Sequence, residues 1–584
     1  MSESYPLSTM SHSHVDSEIG LSRNSSVRGM RQGIDEHNNY YAERAWRYAD
    51  HIAARANHGQ NRYLFCGSHF RALCELVSKS APNNPKKPLE FDYVVCCDFS
   101  GVSVGTESAR RQIQTFDTTA SGLDSFASLT DPAPQTTRVL FLRGHPSAEW
   151  IKVLGAQQRI EFEYFRQKLP FLDKDYHDIP ALPSNSQNIF HLNIMTVYKR
   201  HRALRWSQVD KLRKAEKKAV SKYQRSQSYV GDSIVRRVCI FDESEFAIEQ
   251  DISICIVNQR GRGKTGKTAI VWLDSGRELC HDSEAPWECP LNPGYITPNN
   301  ALPTIRHIPS KILASMSRLE PSVLGPERPT CSQDTCLPPS AEHLPYQYGL
   351  TLDPVIASND LLYALSELLF FVACNEVQFL NLIEQRIATL MDGFKGYESI
   401  VLEELNYAMR LLQSRARHIA DTQALLENSG SVLRNGGDRR GRRSRAPSMS
   451  DDQNSCRCSE ALHAESLLVE DFAYLARRAT ALITQARDGM TVVSNTVMLE
   501  ESRRAISKTV RLEKLTLLTF FFLPLSLTTS FFGCNFRELG GTGQLSIWVM
   551  FLTLLPVMSL TAVLCFWDHI SAIEWTRKLR LSKN

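Results

Sequence analysis

The sequence predicts an α/β domain followed by a long α-helical stalk and a C-terminal hairpin of two membrane-spanning helices. Three observations predict it. Short runs rich in Val, Ile and Phe, bounded by Gly, Asp or Pro, recur through residues 40–283. A proline-free stretch over 459–514 carries apolar residues at helical spacing. Two segments without a charge, 515–532 and 545–567, lie close to the end of the chain.

Composition bounds the answer. The 584 residues exceed what one domain usually holds, and the net charge is only +4. The 15 cysteines are scattered through apolar runs in no structural-zinc spacing, so they read as free thiols in a reducing cytosol. His12 and His14 read as solvated residues. No catalytic constellation emerges, so an enzyme is not expected. Neither a cofactor nor a nucleic-acid partner is expected.

Residues 1–39 read as a disordered N-terminal tail. They lack an apolar core segment, so no signal peptide is expected, and Glu3, Asp16, Glu18 and Asp35 disfavour a transit peptide. The cytosolic α/β domain follows over 40–283. Its expected strands are 93–98, 138–142, 189–198, 233–242, 252–258 and 268–274, and its expected helices 68–78, 148–154 and 161–169. Residues 284–346 hold about half of the chain's 26 prolines and read as a loop or insertion. Cytosolic helices are expected over 347–428, at 359–391 and 397–426. The segment 429–458, with Arg439, Arg440, Arg442, Arg443 and Arg445, reads as a basic, flexible, solvated linker. In the stalk, 459–514, Phe472, Leu475, Ala476, Ala479, Leu482, Ile483 and Ala486 trace an i, i+3, i+4 stripe suited to a coiled coil. A continuous helix from 459 to 532 would be on the order of 110 Å long, which suits a stalk rather than a globular core.

One motif points elsewhere and is refused. Gly261, Gly266, Lys267 and Thr268 match the phosphate-loop pattern G-x-x-x-x-G-K-[ST]. A true phosphate loop opens a helix whose N-terminus holds the phosphates. Residues 269–274 are apolar and β-branched and end at Ser275-Gly276, so a second strand is predicted and the motif becomes a hairpin loop. Nucleotide binding is therefore not expected.

Residues 515–532 and 545–567 are each long enough as helix to cross a ~30 Å hydrocarbon core. The glycine-rich connection 533–544 makes them antiparallel. Arg503, Arg504, Lys508, Arg511 and Lys514 precede the first span, and a basic tail, 568–584, follows the second. The positive-inside rule then puts both termini in the cytosol and the loop outside. The plasma membrane is the expected location. Thr516, Thr519, Leu523, Ser526, Ser530 and Gly533 fall within one ~100° arc of the first span, with Thr528 off it. Polar groups in hydrocarbon favour a helix interface or a water-filled cavity, so the arc is expected to face an oligomer axis. The alternative is that the hydroxyls bond back to their own helix.

Pro524 and the stretch Gly533-Cys534-Asn535, about nine residues on, resemble the signature of the CorA magnesium-transporter superfamily, a proline in the first span and Gly-Met-Asn at its outer end. Residues 138–169 also resemble the soluble domain of fungal members. The resemblance implies a CorA-like fold and a homopentamer in the lipid bilayer, passing Mg²⁺ or another divalent cation such as Zn²⁺ down its electrochemical gradient. It implies ion selectivity at Gly533, Cys534 and Asn535 and pore lining by Leu515, Thr516, Thr519, Leu523, Ser526 and Ser530. Leu515 and Leu523 would sit at apolar constrictions, and Glu538 would be the outer loop's cation attractor. No metal site beyond the pore ring follows from it. Cys534 stands where the family has Met. The alternative reading is therefore a non-conducting, membrane-anchored regulatory or scaffold protein with a degenerate pore signature.

Overall fold

The computed structural model describes residues 32–58, 67–78, 91–101, 110–169, 188–200, 203–226, 229–257, 266–277, 279, 285–287, 300–307, 339–434, 452–532 and 546–563. The chain divides into two compact units, Met1–Phe379 with Ala420–Ala473, and Leu380–Ile419 with Tyr474–Asn584.

The first unit is built on one sheet of β1 (Asp92–Ser100), β2 (Arg110–Asp117), β3 (Thr136–Arg143), β4 (Ile189–Lys199), β5 (Arg237–Ile240), β6 (Glu245–Val257), β7 (Lys267–Leu273) and β8 (Asn300–Ala301). The strand order is β2-β1-β3-β7-β6-β4-β8, with β5 on β6. Only β3 and β7 run parallel; every other pair is antiparallel. The central strands β1, β3 and β7 are buried along nearly their whole length. A sheet covered on both faces requires such continuous apolar runs, and these runs made the strands legible.

Two strands differ from expectation for physical reasons. β2 was not anticipated, because its RRQIQTFD sequence has the charged character of an edge strand. β6 begins at Glu245, well before the expected 252. Its middle carries Glu249, Gln250 and Asp251, which look unfit for a sheet. Asn193 across the sheet donates to Glu249 at 2.9 Å and to Asp251 at 2.7 Å, and Gln250 donates to the Ile234 carbonyl at 3.0 Å. Satisfied in this way, buried polar residues do not break the strand.

Helices α1 (Gln32–Asn57), α2 (Arg71–Ser78), α3 (Ala120–Ala127), α4 (Ala148–Gln158) and α5 (Phe162–Lys168) belong to this unit, as does α6 (Trp206–Ser226). Ser147 starts α4 by accepting a hydrogen bond from the Trp150 N–H at 3.2 Å. Trp150, Tyr164, Phe165 and Trp272 are among the largest side chains buried in the main core. A second cluster gathers Tyr198, Phe246 and Trp287, with Phe246 stacked on both. Beneath α5 lies a buried ionic network. The Lys168 ammonium is 2.7 Å from Asp274 with both side chains inaccessible, and Arg236 donates to both Asp274 oxygens at 2.6 and 3.0 Å.

The strand–loop–strand reading of the phosphate-loop match agrees with the structure. β7 starts at Lys267 and pairs antiparallel with β6, Val257 opposite Thr268. The Lys267 ammonium donates to the Asn359 carbonyl at 2.6 Å. Residues 258–265 lie outside the described residues.

The helices that follow are α7 (Ser340–Gln347), α8 (Pro354–Asn359), α9 (Leu361–Asp392), α10 (Glu398–Arg434) and α11 (Asp452–Phe532). Last comes α12 (Ile547–Val563). Several bounds depart from those read in the sequence. α1 starts inside the stretch read as tail and was otherwise missed, because its only apolar signal is a narrow stripe that includes Ala45, Ile52 and Ala56. β8 and α7 occupy parts of the proline-rich segment 284–346. α10 and α11 enter the 429–458 linker from either side. Within the second unit, the Arg478 guanidinium of α11 donates to Asn381 and Glu384 of α9 at 2.6 and 2.5 Å. A Cβ on Gly489 of α11 would meet Met391 of α9 at 3.0 Å and Leu405 of α10 at 3.5 Å.

Candidate pore-lining helix

Among the described residues one helix, α9, is long and apolar enough by length and composition to cross a membrane. Its apolar window is 72% buried within the protein, as in the core helix of a soluble domain. The end of α11 behaves differently. Residues 515–532 carry no charge. Leu515, Leu518, Phe520, Phe521, Phe522, Leu523, Leu525 and Leu527 are all exposed. α12, a shorter apolar helix, exposes Trp548, Leu552, Leu555 and Leu560. Contiguous exposed apolar surface of this kind marks a membrane or an interface.

Exposure around α11 is uneven. Among the described side chains of 515–530 the buried positions are Pro524 and Thr528. At 100° per residue they lie on the side opposite Thr519, Leu523, Ser526 and Ser530. Those four share one open concavity of about 600 Å³, flanked by Leu518, Phe522 and Leu527. Leu515 and Thr516 are exposed one turn before it and do not line the concavity. The flank of Leu518, Phe522 and Leu527 was missed in the sequence because the arc was drawn around the polar positions; the same 3–4 spacing also joins Leu518, Phe522 and Ser526.

The threonine hydroxyls bond back to their own helix. Thr516 donates to the Leu512 carbonyl at 2.8 Å and Thr519 to the Leu515 carbonyl at 2.9 Å. Thr528, off the arc, is buried and donates to the Pro524 and Leu525 carbonyls at 3.0 Å. Pro524 has no N–H, and Thr528 sits where its hydroxyl reaches the carbonyls of that turn. Back-bonding and an outward-facing role are compatible. A hydroxyl that spends its proton on its own helix keeps its oxygen lone pairs directed away from that carbonyl. On the concavity this leaves the Thr519 oxygen as an acceptor of hydrogen bonds from water.

Before the span, residues 501–516 are exposed throughout, Arg503, Arg504, Lys508, Arg511 and Lys514 among them. Gly533, Cys534, Asn535 and Glu538 lie outside the described residues. Among the described residues no group of three or more His, Cys, Asp or Glu is placed to hold a metal ion.

Residues 464–567 match the family model of the CorA-like Mg²⁺ transporter protein. The match takes in most of α11, the Gly533-Cys534-Asn535 stretch and α12. Among solved structures, the full-length CmaX protein aligns at a TM-score of 0.28 and 11% identity, over 84% of this chain and 100% of that one. So low a score says nothing about the fold. No curated protein matches the chain.

Proposed function

We propose, from the CorA-like identity of residues 464–567, that this chain is a homopentameric channel passing divalent cations through a membrane. α11 and α12 would supply the two spans, with the loop 533–544 outside and both termini in the cytosol. The plasma membrane is the proposed location. The observations that carry the reading are the exposure of this uncharged stretch, where Pro524 and Thr528 are the buried positions among the described side chains of 515–530, and the open concavity shared by Thr519, Leu523, Ser526 and Ser530.

Five such faces around an axis would line a lumen with hydroxyl oxygens and two leucine levels, Leu515 and Leu523. Thr516 would add its oxygen beside Leu515. Mg²⁺ dehydrates reluctantly, so it would pass with much of its water shell in place. A ring of Asn535 carbonyl oxygens would accept hydrogen bonds from that shell. Gly533, without a Cβ, would let the backbone approach the axis, and Glu538 would draw cations to the mouth. Trp548, exposed at the start of α12, suits the polar boundary of a bilayer.

Cys534 supports a second reading, because the family's signature has Met at that position. In it, the chain is membrane-anchored but does not conduct, and the cytosolic domain does the work. Purified protein in liposomes loaded with a Mg²⁺-sensitive dye separates the two. A channel passes Mg²⁺ without ATP, faster when the interior is negative, and a series with Zn²⁺ and other ions ranks selectivity. Liposomes no leakier than protein-free ones would decide for the scaffold.

A further inference from the structure

A groove of about 540 Å³ runs along the α/β domain between α1 and the α4–α5 junction. Arg44, Arg47, Tyr48 and His51 recur at i, i+3, i+4 and i+7, so one face of α1 forms a wall. The floor is aromatic. Tyr48 approaches α4 closely because Gly155 has no side chain; a Cβ there would lie 2.2 Å from the ring. The Tyr48 hydroxyl donates to the Ile160 carbonyl at 2.8 Å, and the Phe162 ring meets Tyr48 edge-on at 5.1 Å.

The rim is basic. Arg44 donates to the Ala156 carbonyl at 3.1 Å, which fixes its guanidinium at the groove. Arg47 pairs with Glu43 at 2.6 Å on the exposed surface. Arg159 ends α4 in a left-handed conformation, φ 52°. Helices usually place Gly or Asn there. Among the described residues only Gln135 shares a positive φ without being glycine. Arg159 is exposed and forms no ion pair among the described residues. A strained, unpaired arginine at the mouth of a groove is costly to the fold, and such strain gathers at ligand sites. Glu161 is the one acid in the lining.

We propose that this groove binds the phosphate group of a small phosphorylated molecule, whose planar or apolar part covers Tyr48 and Phe162. Arg44, Arg47 and Arg159 line one groove, and guanidinium groups favour phosphate oxygens in charge and hydrogen bonding. The volume falls within the ~300–1,000 Å³ of small-molecule sites. The phosphate could come from a soluble ester or from a lipid headgroup.

Calorimetric titration of the full chain in detergent micelles tests this, with AMP, adenosine and glycerophosphoinositol as probes. We expect a phosphate-bearing probe to bind and adenosine to bind at least tenfold more weakly than AMP. Tighter AMP binding assigns a soluble ester, and tighter glycerophosphoinositol binding a headgroup. Arg159→Gly separates function from structure, because glycine accepts the left-handed cap. The variant should melt at the same temperature or higher while losing at least tenfold in affinity. No binding by either phosphate probe, adenosine binding equal to AMP, or unchanged affinity in Arg159→Gly overturns the proposal. None of these readings involves ion flux, so they stand apart from the channel assay.

Discussion

His145, in the turn between β3 and α4, shows how burial of a single residue sets a pH dependence. Burial pushes its imidazole down to about 4. The unfolded chain therefore takes up the proton first as pH falls below the ordinary ~6.5. The contribution is complete above that pH and is lost progressively down to about 4. Asp251, held below the usual carboxylate range by Arg236 and Lys168 against the opposing effect of burial, titrates below this window. We expect the melting temperature of the full chain to fall between pH 6.5 and 4, and His145→Gln to flatten that slope. An identical slope in the variant would assign it to other groups. At the proposed pore mouth, Asn535→Ala should abolish Mg²⁺ flux in liposomes while leaving assembly intact, because methyl groups cannot accept hydrogen bonds from a hydrated ion. Wild-type flux in that variant would remove Asn535 from the selectivity ring.

Helix packing in the α/β domain turns on α1 against α4. Gly155 is the point of closest approach, with the Tyr48 ring where a side chain would be. Gly155→Ala gains ~1 kcal/mol of helix propensity. It also displaces Tyr48 from its bond to the Ile160 carbonyl, and overpacking of this kind costs ~1–3 kcal/mol. We expect a melting temperature a few degrees lower in the full chain, visible by near-ultraviolet circular dichroism. An unchanged or higher value would show that α1 shifts freely on α4. The β6–β7 hairpin is the element the sequence stated most clearly. Ala269-Ile270-Val271-Trp272-Leu273 is apolar and β-branched, and its strand character outranks the phosphate-loop pattern before it. α6 was missed for the opposite reason. Its lysine-rich sequence holds only Val209, Val220 and Tyr223 as buried apolar residues.

At the scale of the whole molecule, the exposed apolar ends of α11 and α12 require an environment that the single chain does not contain. In the proposed channel, lipid would cover part of such a surface and other copies would cover a face lined by hydroxyls. Native mass spectrometry of the full chain in mild detergent should find five copies. A stable monomer or dimer would remove the basis for a pore.

The sequence by itself determined the α/β class of the first domain, the helical middle and the likeness of residues 464–567 to the CorA-like Mg²⁺ transporter model. Strand runs, helical periodicity and the Gly533-Cys534-Asn535 signature are local properties that need no partner to be read. Only the tertiary structure decided that polar Glu249–Asp251 belong to a strand, since Asn193, Ile234 and Arg236 satisfy them from elsewhere in the chain. It also decided that Pro524 and Thr528 are buried while Thr519, Leu523, Ser526 and Ser530 share an open concavity. The groove under Arg159 was invisible for the same reason. Its walls come from residues more than a hundred positions apart, and its strained arginine differs from an ordinary one only in a backbone angle.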